Sequence, residues 1–431
     1  MRILVIGGAV SGIAAARLAK RLGHQVSVYD QNPGIATDLL AEGIGTIVGE
    51  WAVELLTGVD VVVTSPGVPE RALPLTHAHE LGVPVWSEVE YAWRVLEAPI
   101  AAITGTNGKT TVTELVAAML DRSGMETVAA GNIGTALSDV ADRPWDAVVV
   151  EVSSFQLRFI ETFHPNVAVL LNVADDHLDW HGTVAAYADA KARIFELQTD
   201  EDVLVFDVDD PGASSLAARA RSELIPVSGR NARPGGVGVR DGRLHTSTTS
   251  VAIADLQVDD PAYLVDLAAA AVAAEALGAG PAAVESVMLE FRPGLHRRTV
   301  VAEFDGIVWV DDSKATNPHA AVAAIEAYES VILIAGGRNK GLDLSPITAV
   351  STLKHVIALG EAADELVEAA RGPVTKAIDL ADAIRIAASL AAGGDTVLLA
   401  PGCASFDMFT SYAARGAAFA ESVQAFERSH P

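Results

Sequence analysis

An eight-residue stretch, Thr-Gly-Thr-Asn-Gly-Lys-Thr-Thr at residues 104–111, limits the possible folds of this chain more than any other feature. The apolar run at residues 99–103 precedes it and predicts a β-strand, and a helical pattern follows it. In such a loop the glycines let backbone amides wrap a phosphate, Lys109 can neutralise its oxygens, and Thr110 can reach a magnesium ion. Ile103 occupies the position of the first glycine of the generic phosphate loop. The stretch therefore predicts a nucleotide-binding α/β module whose phosphate loop lacks the usual first glycine.

The rest of the chain repeats the alternation of strand and helix. With 431 residues it is long enough for about three domains of about 150 residues each. Short Val- and Ile-rich runs alternate with helical patterns, which is typical of parallel sheets joined by crossover helices. The clearest predicted strands cover residues 3–6, 25–29, 59–64, 99–103, 147–150, 167–171, 307–310, 331–334, 356–359 and 396–399, whereas residues 229–249 predict loops or a hairpin. The sequence therefore predicts three successive α/β modules.

Composition argues against several classes of function. The formal net charge is −26, which disfavours nonspecific binding to nucleic acid or to an anionic membrane surface. The single cysteine, Cys403, cannot form an intramolecular disulfide and fits a reducing compartment. No apolar run reaches the ~18 residues that span a bilayer, and the first residues lack the pattern of a signal peptide. We expect a soluble, cytoplasmic monomer that binds small molecules, has no nucleic-acid partner and does not insert into a membrane.

A glycine-rich turn lies near the amino terminus. The strand predicted at residues 3–6 leads into Gly-Gly-Ala-Val-Ser-Gly at residues 7–12 and then into an Ala-rich helix. Such a turn offers backbone amides and a helix amino terminus to a phosphate, although Ala9 replaces the middle glycine of the dinucleotide fingerprint. Asp30 ends the next strand, where an acidic residue often meets a ribose hydroxyl, and Gly67 follows the third strand at the same edge. A turn that only packs helix on strand and a dinucleotide site both remain open.

Hard oxygen ligands and a histidine follow two strands of the second module. Glu151 follows the strand at residues 147–150, at the sheet edge where the phosphate loop also opens, which favours a magnesium contact. His177 lies among several carboxylates at residues 172–179. Because no cysteine ligands accompany them, magnesium or manganese is favoured over structural zinc. Lys191 lies in a helical pattern and would by default be a solvated surface lysine.

Polar loops follow three strands of the third module, at residues 311–318, 336–341 and 401–407. The carboxyl ends of parallel strands meet at one edge of a sheet, so we expect the three loops to face a shared crevice. Cationic and hydroxyl side chains in these loops suit a substrate that carries a carboxylate. They are Lys314, Lys340, Thr316 and Ser405.

Taken together, these motifs resemble those of the Mur ligase family, the ATP-dependent amide ligases of peptidoglycan precursor synthesis. The resemblance covers essentially the whole chain, and the phosphate loop has the family form, Thr-Gly-Thr-Asn-Gly-Lys. It implies a three-domain α/β architecture. The implied domains are an N-terminal Rossmann-like domain at residues 1–95 that binds the UDP substrate, a central P-loop ATPase-like domain at residues 96–294, and a C-terminal Rossmann-like domain at residues 295–431 that binds the amino acid and part of ATP.

The resemblance also implies a reaction. In this family ATP phosphorylates a substrate carboxylate, and the amine of an amino acid then attacks the acyl phosphate. The sequence Asp-Ser-Lys-Ala-Thr-Asn at residues 312–317 looks like that of the members that add D-glutamate to UDP-N-acetylmuramoyl-L-alanine. The implied cofactors are ATP and Mg²⁺, with two ions expected and Mn²⁺ as a possible substitute, together with a carbamylated lysine at Lys191.

The residues that match the family's functional positions fall into five groups. The resemblance implies catalytic roles for Lys109, Glu151, His177 and Lys191, and metal contacts for Thr110, Glu151, His177 and Lys191. ATP contacts are implied for Gly105, Thr106, Asn107, Gly108, Lys109, Thr110, Thr111, Arg297 and Asp312. Contacts with the UDP substrate are implied for Val10, Ser11, Gly12, Gln31, Asn32, Gly67, Asn132 and His177. Contacts with D-glutamate are implied for Thr316, Lys340, Ser405, Phe406 and Tyr412.

The chain also departs from the family pattern, and rival functions remain. Tyr263 and Asp266 replace two helix asparagines near the adenine, Thr299 replaces an acidic residue, and Tyr412 stands where phenylalanine is common. An NAD-dependent oxidoreductase built on the first glycine turn would leave the phosphate loop unexplained. A sibling ligase that adds a different amino acid or acts on folate also remains open, as does a non-catalytic nucleotide-binding regulator.

Overall fold

The computed structural model describes residues 1–429, except for the side chains of residues 35–38. The chain divides into two units: the first is residues 1–173 with 185–291, and the second is residues 174–184 with those from 292 onward. Both consist of α/β layers with mainly parallel strands, which confirms the predicted fold class. The domain boundary predicted at residue 95 lies within the first unit.

The amino-terminal part of the first unit is a parallel sheet with the order β3-β2-β1-β4-β5. The order reverses between β1 and β4, so a crevice opens at the carboxyl ends of these two strands. The strands are β1 Arg2–Ile6, β2 Gln25–Asp30, β3 Gly45–Val48, β4 Val61–Thr64 and β5 Val85–Ser87. The helices are α1 Val10–Arg21, α2 Ala36–Ala41, α3 Leu73–Glu80 and α4 Glu88–Trp93.

The central sheet of the first unit has the order β14-β13-β12-β11-β10-β9-β6-β8-β7. Its strands are β6 Ile100–Thr104, β7 Thr127–Gly131, β8 Ala147–Glu151, β9 Val167–Leu170, β10 Val203–Asp207, β11 Glu223–Ser228, β12 Val237–Arg240, β13 Arg243–His245 and β14 Ser250–Ala252. The hairpin predicted within residues 229–249 is confirmed, since β12 and β13 pair antiparallel.

The helices that follow along the chain are α5 Lys109–Arg122, α6 Ser154–Arg158, α7 Leu178–His181, α8 Val184–Ala192, α9 Pro211–Ala217, α10 Pro261–Ala276 and α11 Pro281–Glu290. The short segment with α7 belongs to the second unit. Helix α10 is buried along nearly its whole length, which explains why its sequence is apolar on every side. None of the helices in the described part of the chain is long and apolar enough to cross a membrane.

The two sheets of the first unit share one hydrophobic core. It runs from Ile3 and Val61 in the first sheet through Tyr91 in α4 to Ile100 and Phe163 beside the central sheet. A buried carboxylate reinforces the joint, since Glu90 accepts hydrogen bonds from the backbone amides of residues 161–163 at 2.9–3.0 Å. Shared burial of this kind holds the two sheets together as one unit.

The second unit is built on a sheet with the order β15-β16-β20-β17-β18-β19. The strands are β15 Thr299–Phe304, β16 Ile307–Asp311, β17 Val331–Gly336, β18 Leu353–Leu359, β19 Val374–Lys376 and β20 Thr396–Leu399. Strand β15 pairs antiparallel with β16, and the other pairs are parallel. The helices are α12 Pro318–Glu326, α13 Ser345–Thr348, α14 Ala363–Ala369, α15 Leu380–Leu390 and α16 Tyr412–Ser429. Strands β16, β20 and β17 are neighbours, so their carboxyl ends lie side by side.

Candidate active site

The predicted phosphate loop connects β6 to α5 in the first unit. Gly108 precedes the helix in a left-handed conformation, with φ of +85°, which glycine adopts without steric cost. Lys109 folds back over the loop, and its Nζ donates hydrogen bonds to the carbonyl oxygens of Gly105 at 2.9 Å and Thr106 at 3.0 Å. The ammonium group is thus held at the loop, where the backbone amides at the start of α5 also favour an anion.

A neighbouring segment fixes the shape of this loop. Asn172 accepts the backbone N–H of Thr106 with its carbonyl oxygen at 2.9 Å and that of Asn107 with its side-chain oxygen at 2.7 Å. The hydroxyl groups of Thr106 and Tyr187 lie 3.0 Å apart. The motif itself gave no signal for Asn172 or Tyr187, because both approach the loop only through the order of strands and helices in the fold.

Helix α10 also approaches the phosphate loop. Asp266 on this helix is 7% exposed, and a Cβ atom added to Gly108 would lie 2.6 Å from its Oδ1. This close approach and the positive φ of Gly108 both favour a residue without a side chain at this position. Tyr263, one turn earlier on the helix, packs its ring against Phe291 with the ring centres 6.0 Å apart.

Lys191 lies at the end of α8 and is 1% exposed, so the default expectation of a solvated surface lysine is wrong. Its Nζ donates a hydrogen bond to the carbonyl oxygen of Gly105 at 2.7 Å and lies 4.7 Å from the centre of the Tyr187 ring. A helical pattern alone cannot reveal this burial, because α8 packs against the phosphate loop on the face that carries this lysine.

Glu151 and Asn132 meet at the carboxyl ends of β7 and β8. Glu151 is 2% exposed, its Oε1 accepts a hydrogen bond from Asn132 Nδ2 at 2.8 Å, and its backbone oxygen accepts the N–H of Asn132. Within the described residues, Oε2 of Glu151 has no hydrogen-bond partner. A Cβ on Gly131 would collide with the Glu151 carbonyl, so the glycine permits this contact. The pair joins a predicted metal contact to a predicted UDP-substrate contact.

The described residues form no group of three or more His, Cys, Asp or Glu side chains arranged to hold a metal ion. The predicted metal contacts Thr110, Glu151 and Lys191 belong to the first unit, and His177 belongs to the second. An unpartnered buried carboxylate oxygen, such as Oε2 of Glu151, is nevertheless the kind of atom that a bound cation satisfies.

The first glycine turn packs tightly against β1 and β4. A Cβ on Gly12 would collide with the carbonyl oxygen of Gly7, so helix α1 can begin here only with glycine at position 12. Ser65 Oγ donates a hydrogen bond to the same carbonyl at 2.7 Å. The Asp30 carboxylate accepts the backbone N–H groups of Gly8 at 2.7 Å and Asn32 at 2.8 Å. Asp30 therefore has a structural role in joining the two loops.

The remaining residues predicted to contact the UDP substrate lie at the same edge of the first sheet. Val10 and Ser11 begin α1 after β1, Gln31 and Asn32 follow β2, and Gly67 follows β4. All except the partly exposed Ser11 are solvent-exposed, which suits residues that meet a ligand from outside.

A single buried side chain ties together the three polar loops of the second unit. Arg415 on α16 is 3% exposed. Its guanidinium donates hydrogen bonds to Ser313 Oγ and to the Ser313 carbonyl oxygen, both at 2.9 Å. It also donates to the carbonyl oxygens of Cys403 at 3.2 Å and Gly336 at 3.5 Å. Ser313 and Cys403 lie in the loops after β16 and β20, and Gly336 is the last residue of β17. One planar donor group therefore joins the carboxyl ends of all three strands.

Two arginines lie beside the predicted ATP contact Asp312. Burial raises the pKa of Asp312 to about 6, although the charge and backbone N–H of Arg298 and the charge of Arg297 oppose the increase. Arg298 has a positive φ of +52°, which is uncommon for a residue with a side chain. The structure thus brings the predicted ATP contacts Arg297 and Asp312 together.

The predicted D-glutamate contacts are distributed over the same loops. Lys340 follows β17, Ser405 follows β20 and is 2% exposed, and Thr316 lies before α12. Tyr412 begins α16, and Lys314 Nζ lies 4.0 Å from the centre of its ring. Phe406, by contrast, is 65% exposed.

The segment 174–184 reaches the same loops within the second unit. Asp176 is 5% exposed, and its Oδ1 accepts a hydrogen bond from Lys340 Nζ at 3.0 Å. Its Oδ2 accepts a bond from Asn317 Nδ2 at 3.3 Å. His177 follows in a left-handed conformation with φ of +52°, a strained conformation for histidine. From the sequence, Asp176 is one of several carboxylates around His177 that together favour a divalent metal, and it has no individual role.

Family models match the chain in three segments. They are the Mur ligase MurD-like N-terminal domain at residues 1–87, the Mur ligase middle domain at residues 103–263, and the glutamate ligase domain of Mur ligases at residues 296–403. The three matches follow one another in the order of the three predicted modules.

Similar proteins and solved structures agree with these matches. Proteins from Frankia casuarinae and Pelotomaculum thermopropionicum, both named UDP-N-acetylmuramoylalanine--D-glutamate ligase, are 44% and 40% identical. Each comparison covers 99% of this chain, and 94% and 98% of the respective relative. A pseudomurein peptide ligase type C from Methanothermus fervidus has the same fold, with a TM-score of 0.63 at 18% identity over 99% of this chain and 100% of that one. Because identity of 40% or more to full-length relatives accompanies all three domain matches, the chain belongs to the Mur ligase family.

Proposed function

We propose that this protein catalyses the ATP-dependent ligation of D-glutamate to UDP-N-acetylmuramoyl-L-alanine in peptidoglycan precursor synthesis. The products are UDP-N-acetylmuramoyl-L-alanyl-D-glutamate, ADP and phosphate. One observation carries the proposal: the chain combines two kinds of site. The first unit has a phosphate loop whose lysine is held in place, and the second unit has a lysine and hydroxyl groups that suit a substrate carboxylate. Near full-length relatives of this chain bear the name of that ligase.

The reaction has two steps, each with a defined exchange of bonds. A carboxylate oxygen of the UDP substrate bonds to the γ-phosphorus of ATP as the bond from that phosphorus to ADP breaks. The amine of D-glutamate then bonds to the acyl carbon, loses a proton, and displaces phosphate, which keeps one oxygen of the original carboxylate. Both steps bring anions together, so positive charge and N–H donors at the phosphates are required.

The first unit supplies those donors. Lys109 is held over the loop by the carbonyl oxygens of Gly105 and Thr106, and the backbone amides at the start of α5 point toward the same space. We assign the phosphates of ATP to this loop. We assign the UDP substrate to the carboxyl edge of the first sheet, near Gly12 and Gly67, and to Asn132.

Magnesium fits the residues of the first unit. The buried Oε2 of Glu151 has no hydrogen-bond partner within the described residues, and the hydroxyl of Thr110 lies in the first turn of the helix after the loop. Mg²⁺ bound there would neutralise phosphate charge during transfer. We extend the proposal to two ions and to a carbamate on Lys191, as the resemblance to the family implies. Lys191 is suitably placed for this role, since it is buried beside the phosphate loop and bonded to the carbonyl of Gly105.

The second unit supplies the amino-acid site in this proposal. Lys340 provides charge for a carboxylate of D-glutamate, and Thr316 and Ser405 provide hydroxyl groups on neighbouring loops. Arg297 and Asp312 contribute to ATP binding. We also propose that the enzyme works as a monomer in the cytoplasm, where ATP is supplied.

A phosphate-release assay with a panel of amino acids tests this function. The purified protein is mixed with ATP, Mg²⁺ and UDP-N-acetylmuramoyl-L-alanine, with and without each amino acid. Released phosphate is measured, and the mass of the product is determined by mass spectrometry. Phosphate release that requires D-glutamate, with a product heavier by one glutamyl residue, supports the proposal. Release with a different amino acid would identify a sibling ligase, and no release with any of them would exclude the ligase function.

A further inference from the structure

Asp176 has contacts that no predicted role explains. It lies in the segment 174–184 of the second unit and is 5% exposed. Oδ1 accepts hydrogen bonds from Lys340 Nζ at 3.0 Å and from the backbone N–H of His177 at 2.8 Å, and Oδ2 accepts one from Asn317 Nδ2 at 3.3 Å. Burying a carboxylate costs free energy unless it is paired and hydrogen-bonded. Two of these three donors lie on distant loops of the chain, at Asn317 and Lys340.

Two of the partners of Asp176 lie on the loops proposed to bind the amino acid. Lys340 is the proposed cation for the substrate carboxylate, and its side chain is 21% exposed. Asn317 caps α12, since its Oδ1 accepts the N–H of Ala320 at 2.9 Å, and it directly follows Thr316. Both partners therefore belong to loops that carry predicted D-glutamate contacts.

We propose that Asp176 is a positioning residue that holds Lys340 and the loop before α12 in the arrangement that accepts the substrate carboxylate. The inference rests on the proposed function. An ammonium group has three donor hydrogens, so one bond to Asp176 leaves two for a substrate carboxylate. A lysine on a flexible four-carbon stem loses conformational entropy when it binds a ligand, and a fixed partner lowers that loss.

Charge supports the same role. The Nζ of Lys340 and the Oδ1 of Asp176 lie 3.0 Å apart, so their contact has the geometry of an ion pair as well as of a hydrogen bond. The backbone bond to His177 also fixes the residue next to the strained histidine.

The kinetics of Asp176→Asn test the proposal. This variant keeps the size of the side chain but removes its charge. We expect the KM for D-glutamate to increase about 10-fold or more, while the KM values for ATP and the UDP substrate change less than about twofold. Asp364→Asn is the matched control, because it makes the same substitution in the exposed pair that Asp364 on α14 forms with Lys376 on β19, two elements that carry none of the predicted D-glutamate contacts. The control should leave every KM unchanged.

A double-variant cycle separates positioning from a general loss of structure. Once Lys340→Met has removed the ammonium group, adding Asp176→Asn should raise the KM for D-glutamate much less than it does alone. Full additivity would overturn the proposal, as would an unchanged KM for D-glutamate in the single variant. A changed Mg²⁺ requirement with normal D-glutamate binding would also overturn it, because it would identify Asp176 as a metal ligand.

Two further comparisons keep the test decisive. Asp176→Glu retains the charge and should bind D-glutamate more tightly than Asp176→Asn. If the asparagine variant does not fold, Asp176→Ser replaces it. A normal KM for D-glutamate in Asp176→Ser overturns the proposal, and an increased KM supports it. The wild-type protein must first release phosphate in the presence of D-glutamate. If it does not, the proposed function fails; if it does and the variants bind D-glutamate normally, only the positioning role of Asp176 fails.

Discussion

The phosphate loop of the first unit and the loop cluster of the second unit are built in opposite ways. In the first, eight consecutive residues carry the whole motif, and Lys109 bonds to carbonyl oxygens three and four residues before it. In the second, Arg415 joins Ser313, Gly336 and Cys403, which are 12 to 102 residues away along the chain. A local motif can thus be recognised from sequence, whereas the buried side chain that joins separate loops cannot.

The two constructions also place different demands on stability. Backbone amides and a helix amino terminus form the phosphate loop, so one side-chain substitution there removes chemistry but leaves the loop in place. In the second unit, every hydrogen bond recorded for Arg415 ends on a carbonyl or hydroxyl oxygen. Burial lowers the pKa of Arg415 to about 10, partly opposed by Cys403 and nearby carboxylates. Removing it would leave several buried acceptors unsatisfied.

The largest effect is expected for Lys109→Ala. The substitution removes the ammonium group at the phosphate loop, and we expect turnover to decrease by about 10³-fold or more. The thermal unfolding midpoint should stay close to that of the wild type, because the loop is built from backbone. Steady-state kinetics and calorimetry measure the two quantities, and Lys20→Ala on the exposed face of α1 is the control. Retained turnover would contradict the role assigned to the loop.

A smaller loss is expected for Lys191→Ala. If a carbamate on this lysine contributes to metal binding, turnover should decrease by about 100-fold. Short carboxylic acids added to the assay should restore part of the activity, since a free carboxylate can replace the carbamate. The same acids should not restore Lys109→Ala, which makes that variant the control. Activity in Lys191→Ala equal to that of the wild type would exclude the proposed carbamate.

Arg415→Lys tests the construction of the second unit. Lysine keeps a buried charge but loses the planar fork, so we expect the second unit to lose about 2–3 kcal/mol of stability. Hydrogen exchange should accelerate in residues 311–318 and 401–407 and remain unchanged in residues 104–111. The KM for D-glutamate should increase, while that for the UDP substrate should not. Unchanged exchange in the loop cluster would show that Arg415 does not hold it together.

Glu88 offers a pH-dependent test of the joint in the first unit. Its Oε1 accepts the backbone N–H of Ser138 at 2.6 Å, and within the described residues its Oε2 has no partner. Burial raises the pKa of Glu88 from 4.5 to about 7. The folded state therefore binds this proton more tightly than the unfolded state, so stability from this group is complete below about pH 4.5 and is lost as the pH rises through about 7.

Glu88→Gln should reduce that loss. Between about pH 5 and pH 8 the wild type should lose up to about 3 kcal/mol of unfolding free energy through this group, and the glutamine variant should lose less. Burial also raises the pKa of Asp207 to about 7. Because Asp207 remains in both proteins, the unfolding free energy of the glutamine variant should still decrease with pH, but less steeply. Chemical denaturation at several pH values measures the difference. Equal slopes in the two proteins would contradict the assignment to Glu88.

The sequence predicted the local parts of the fold and of the candidate site well. The strand at residues 3–6, the strand before the phosphate loop and the α/β class are confirmed, because buried parallel strands are continuous apolar runs. Lys191 and Arg415 show the limit. Both are charged residues in helices, which usually face solvent, and only the packing of α8 and α16 reveals that they are buried.

Asp176 illustrates the same limit at the level of the site. The sequence places it beside His177, but its contact with Lys340 joins residues 164 positions apart. Strand order decides such a contact, and the order β16-β20-β17 cannot be derived from the apolar pattern of the individual strands. The residues that hold a site in position are therefore harder to predict than the residues that form its motif.

The central claim is that this chain activates a carboxylate as an acyl phosphate before D-glutamate attacks. It is tested most directly with UDP-N-acetylmuramoyl-L-alanine whose carboxylate carries ¹⁸O. Our account predicts that phosphate released in the presence of ATP, Mg²⁺ and D-glutamate contains one ¹⁸O atom, because the carboxylate oxygen stays with the phosphorus. Phosphate free of ¹⁸O would show that water attacks ATP, and would contradict the account.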